Sequence, residues 1–115
     1  MTEQTKYPTK PDADGFFFEN EEEEKKGIST KEYENGNVVK KTKLKKGRTA
    51  IVRELLGKDN KDIVKLMGDK TENYLNAAIS IATKIDDKPV FMEDIDFMHM
   101  KDVNRLTEMY QSLNF

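Results

Sequence analysis

Three features of this 115-residue sequence predict an α+β fold, a small N-terminal β-hairpin or meander followed by three to four α-helices. Residues 38–44 alternate with period two behind an Asn-Gly pair, the strongest short hairpin signal because both residues tolerate positive φ. Beyond Gly57 the apolar residues recur at the 3.6 spacing of amphipathic helices. Nearly all Ile, Leu and Val lie within residues 49–115, which places the core there.

The strands are expected near residues 29–33, 38–44 and 48–53. Val38, Lys40, Thr42 and Leu44 share one face of the second strand, Lys45-Lys46-Gly47 makes a turn, and Thr49–Val52 is a β-branched run. A helix over 48–56 competes, because Ile51 and Leu55 also fit a helical period; the β-branched run after a glycine turn favours strand. Asp59 is placed to cap a helix carrying Ile63, Val64 and Met67, with Gly68 closing it. A longer central helix is expected from Asp69 or Thr71 to about Ile85, presenting Tyr74, Leu75, Ala78, Ile79, Ala82 and Ile85. Asp86-Asp87-Lys88-Pro89 then ends it, since proline disfavours helix at the residue before it. One helical turn is expected over Glu93–Phe97. A last helix follows from about Met100 to Leu113, with Asp102 in its first turn, where the helix dipole favours an acid.

Residues 1–28 read as a disordered acidic tail ahead of a 29–115 domain. They contain no valine or leucine, and they include Pro8, Pro11, Gly15 and the run Glu21–Glu24. Phe16, Phe17 and Phe18 interrupt this polarity. Either they fold back over an apolar patch or they form a short docking motif.

Charge is segregated along the chain. Residues 1–30 carry four lysines against eight acids, residues 31–48 seven basic groups against two, and residues 49–115 nine against twelve. The basic segment Lys40, Lys41, Lys43, Lys45, Lys46 and Arg48 is the best candidate for nucleic-acid contact. It lacks interleaved aromatics, and the net charge of −2 opposes it, so nucleic acid is the lesser expectation. Edge-strand lysines that guard against aggregation explain it more simply. The glutamate run could also lie against this patch and screen it.

Catalytic chemistry fails by inventory, so no enzyme, cofactor or metal is expected. There is no cysteine, and one histidine, His99, cannot build a triad or a zinc site; half-buried packing is its expected role. A phosphate loop around Gly57-Lys58 would need glycine at Val52 and Ser or Thr at Asp59. A calcium loop starting at Asp12 would need glycine at Phe17. Asp86-Asp87 and Glu93-Asp94 with Asp96 read as solvated acids rather than acid–base machinery. No secretory signal pattern and no apolar run of about 20 residues is present, so a cytoplasmic protein with no membrane role is expected.

The order of elements resembles the phage tail assembly chaperone family over residues 38–115. The resemblance rests on the lysine-rich strand, the turn Lys46-Gly47-Arg48-Thr49 and the strand end Val52-Arg53-Glu54-Leu55. It continues through Gly57-Lys58-Asp59 to the close Phe97-Met98-His99-Met100-Lys101-Asp102-Val103, with Phe115 at the end. The long start, residues 1–30, departs from the family pattern. The resemblance implies a non-enzymatic binder of the tape measure protein, and of tail tube subunits, working as a homo-oligomer in the bacterial host cytoplasm. Methionine suits adaptable binding surfaces. The expected contact surface is therefore Met98, Met100, Val103, Leu106, Met109, Tyr110 and Leu113, with Phe16, Phe17 and Phe18.

Overall fold

The computed structural model describes residues 6–115. A two-layer α+β domain results, in which a five-stranded antiparallel sheet has spatial order β1-β2-β3-β4-β5, the same as its chain order. The strands are β1 Ser29–Glu32, β2 Val38–Lys43, β3 Thr49–Arg53, β4 Thr83–Ile85 and β5 Lys88–Pro89. The helices are α1 Glu21–Lys26, α2 Asp59–Met67, α3 Tyr74–Ala82, α4 Met92–Asp96 and α5 Met100–Asn114, with 3-10 turns at Lys45–Gly47 and Thr71–Asn73.

Side chains alternate across a sheet, so the register assigns each one to a face. Thr30 pairs with Lys40, Lys40 with Val52 and Val52 with Thr83, and Thr42 pairs with Ala50; these residues point toward the helices. Val52 and Ala50 join Ile79, Leu106 and Met109 in the core, where α5 lies across β2 and β3 and α3 lies across β3 and β4. Ala77, Ala78 and Ala82 bring α3 close to its neighbours with little side-chain bulk between them. The opposite face carries Lys31, Val39, Lys41, Ile51, Arg53 and Lys84.

The central helix ends earlier than its periodicity predicts. Thr83–Ile85 leaves α3 after Ala82 and pairs with β3, Val52 facing Thr83 and Ala50 facing Ile85. The free edge of β3 needs backbone partners, and β-branched Thr83 and Ile85 suit the pleat. Asp86 and Asp87 do not stop a helix; they form the two-residue turn of the β4–β5 hairpin, at φ 51° and 65°. Left-handed backbone is less costly for aspartate than for most residues. Asp86 also holds β3, its Oδ1 accepting from the Thr49 amide at 3.0 Å.

The cap expected at the start of α2 takes a different form. Asp59 is the first helical residue, and its carboxylate accepts from the Leu56 amide at 2.7 Å and from both terminal nitrogens of Arg53 at 3.0 and 3.1 Å. It therefore clamps the end of β3 to the start of α2. The Arg53 guanidinium and the Leu56 amide hold the Asp59 carboxyl below its ordinary pKa of 3.8, against the opposing effect of burial. A depressed carboxylate stabilises the fold at pH values above its unfolded pKa, and that contribution is lost as pH falls through the folded pKa. Asp59→Ala is expected to cost about 1–3 kcal/mol at neutral pH. Urea titrations should show wild type and variant converging below about pH 4. A gap that persists undiminished in acid would mean that the cost is packing rather than charge.

Residues 6–28 overturn the expectation of a disordered tail; its first five residues lie outside the described residues. Asn20 caps α1 by accepting from the Glu23 amide, and Gly27, at φ 73°, closes it. Asp12 organises a turn, its Oδ1 accepting from the amides of Asp14 and Phe16 at 2.9 and 3.0 Å. Thr9 and Phe18 exchange further bonds across this small hairpin. Phe16 is buried, and Phe17 makes an antiparallel bridge to Thr30 on the outer edge of β1. The ordering comes from the basic strands that receive this segment, an influence outside any local sequence window.

Candidate functional site

The β2–β3 turn, the β4–β5 hairpin and the α4–α5 junction surround a groove of about 750 Å³. Lys45, Lys46 and Arg48 form its basic side, Ile85, Pro89 and Val90 come from the hairpin, and Phe97, Met98 and His99 come from the junction. Asp102, buried in the first turn of α5, ties the junction to the turn. Its Oδ1 accepts from the Lys45 amide at 3.2 Å, and its Oδ2 lies 3.5 Å from Arg48 Nη2. Asp102 was expected only to favour the helix dipole; it also positions one wall of the groove.

Exposed apolar side chains occur on α2 and at Phe115, which is 87% exposed, and three more flank α4. Phe97 is 90% exposed, Met100 66% and Phe91 61%. The structure separates the contact residues expected at the junction and along α5 into three groups. Leu106, Met109 and Tyr110 are core residues and offer no surface, because this face of α5 is needed to cover β2 and β3. Val103 and Leu113 are partly buried against the same core, as is Met98, which also lines the groove. Of that set, only Met100 is well exposed. Phe97 and Phe91 were missed because a single aromatic in a short mixed segment has no periodicity to mark it. His99 is exposed rather than half-buried, and its Nδ1 accepts from the Lys101 amide at the start of α5.

The basic segment is partly neutralised from within. Lys40, 11% exposed at its side chain, is ion-paired with Glu23 of α1 and lies 3.7 Å from Glu19. Lys41 lies 3.7 Å from Asp12 and 4.1 Å from the centre of the Phe16 ring. Arg48 faces Asp102. Lys43, Lys45 and Lys46 remain exposed. Of the glutamate run, only Glu23 reaches this segment; Glu21 and Glu22 pair along α1 with Lys25 and Lys26, and Glu24 pairs with Lys6.

Among the described residues, no group of three or more His, Asp or Glu side chains is arranged to hold a metal ion. No described helix is long and apolar enough to cross a membrane. No family model matches the chain, and comparisons with curated proteins and with solved structures find no match.

Proposed function

We propose that this chain is a non-enzymatic binding protein that receives an apolar segment of a partner at the α4–α5 junction. Its resemblance to the tail assembly chaperones makes the tape measure protein the proposed partner, with tail tube subunits as a further one. The observation that carries the reading is the exposure of Phe97 and Met100 beside a groove with one basic side. A 90% exposed phenylalanine contributes nothing to the monomer's core, whereas aromatic anchors dominate many protein interfaces. Self-association through the same residues would fit a homo-oligomer.

Co-expression with the tape measure protein of the same tail tests this reading. The two should co-purify, and the soluble fraction of the partner should rise. Phe97→Ser with Met100→Ser should weaken capture by roughly 30-fold, equivalent to about 2 kcal/mol. The same variant should leave the unfolding free energy within about 0.5 kcal/mol of wild type, as expected for surface positions. Undiminished capture by a folded variant would remove the junction from the interface. Failure of the intact chain to capture the partner would remove the chaperone reading.

Exposed Lys43, Lys45 and Lys46 favour one alternative, a small nucleic-acid-binding regulatory domain. It requires affinity for oligonucleotides that falls steeply as salt is raised.

A further inference from the structure

The N-terminal hairpin rests on β1 as a bound peptide would rest on an open sheet edge. Phe17 and Thr30 exchange both backbone bonds, Phe17 N–H to Thr30 O at 2.9 Å and Thr30 N–H to Phe17 O at 2.7 Å. This is the one bridge between the two segments among the described residues. Phe16 lies on the outer face of the sheet, with its ring centre 4.1 Å from Lys41 Nζ and 5.7 Å from Lys31 Nζ. Asp12 approaches Lys41 on that face, while Glu19 approaches Lys40 on the other. The receiving surface thus combines edge backbone groups with lysines on both faces, and its occupant combines extended backbone, an aromatic ring and flanking carboxylates. Edge-strand addition uses this division of labour, with backbone bonds giving affinity and alternate side chains giving selectivity.

We propose that the β1 edge, with Lys31, Lys40 and Lys41, is a docking surface for an extended acidic–aromatic segment of a partner protein, and that residues 9–19 are a resident pseudo-ligand which that segment displaces. One bridge, the buried Phe16 ring against Lys41 and Lys31, and partly exposed ion pairs hold the resident hairpin. Each such pair contributes little in water, so the hairpin can open while the core stays folded. Its tether gives it an effective concentration of the order of millimolar, which sets the threshold an incoming segment must exceed. This surface is separate from the groove at the α4–α5 junction and does not depend on the identity of the partner proposed there.

The absence of native cysteine allows a direct test in the full-length chain. Phe17 and Thr30 form a hydrogen-bonded antiparallel pair, whose Cα atoms lie about 5.5 Å apart, within disulfide range. Phe17→Cys with Thr30→Cys should therefore lock the hairpin when oxidised and loosen it when reduced. The probe is a fluorescent synthetic peptide of residues 9–20 of this sequence, followed by anisotropy. The reduced protein should bind it at least tenfold more tightly than the oxidised protein, and raised salt should weaken the binding. Equal binding by the two forms, or none by the reduced form, would overturn the proposal. Amide exchange of the wild-type chain supplies a second measurement that needs no variant to fold. The Phe17 and Thr30 amides should exchange at least tenfold faster than that of Val52; equal protection would mean that the hairpin opens only on global unfolding, and the proposal would fail.

Discussion

Leu106→Ala is expected to lower the unfolding free energy by about 3 kcal/mol, within the range seen when a large aliphatic side chain is removed from a packed core. Leu106 has no exposed surface and lies midway along α5, on the face that covers β2 and β3. The core it belongs to also includes Ala50, Ala77, Ala78 and Ala82, which have no flexible side chain to swing into a void. The cavity should therefore persist, adding its cost to the lost transfer energy. For a domain with total stability of about 5–15 kcal/mol, this is a large fraction. Urea unfolding should show a lower midpoint with an unchanged slope. Leu106→Met, which nearly conserves volume, should cost less than about 1.5 kcal/mol. A loss below about 1 kcal/mol for the alanine variant would contradict the burial of this face.

The second large effect is expected at the pair Lys40 and Glu23. Each side chain is 11% exposed, and Glu23 also accepts from the Thr30 hydroxyl at 2.9 Å and from the Glu19 amide at 2.8 Å. Lys40→Met leaves that carboxylate without its cation in a largely buried site, where an unpaired charge costs about 3–5 kcal/mol. Replacing both residues, Lys40→Met with Glu23→Leu, removes the stranded charge and should recover most of the loss. Recovery is incomplete because the Glu19 amide and the Thr30 hydroxyl lose their acceptor. A double-mutant cycle in urea measures the coupling. If the single and double variants are equally destabilised, the pair is screened by solvent and α1 is held by other contacts.

These two effects lie on opposite sides of what local pattern could reveal. The interior position of Leu106 follows from helical spacing with Val103, Tyr110 and Leu113, although that stripe was assigned to a partner rather than to the core. An apolar stripe has the same period whether it meets another molecule or the sheet of its own chain. Only the packing of α5 over β2 and β3 decides between them. The Lys40–Glu23 pair was legible only as segregated charge, a glutamate run able to lie against a basic patch; which residues meet has no local period, because 17 positions separate them.

Sequence alone was sufficient for the α+β class, the first three strands, the start and glycine end of α2, and the positions of α4 and α5. Each depends on neighbours within a few residues: a period of two or 3.6, a turn glycine, a charge in a first helical turn. Tertiary structure decided whatever depended on an unsatisfied edge or a distant charge. It turned Thr83–Ile85 from helix to strand, because β3 lacked backbone partners on one side. It ordered residues 6–28, because β1 offered an open edge and lysines on both faces. It also sent one face of α5 inward, leaving Phe97 and Met100 as the apolar surface beside the groove.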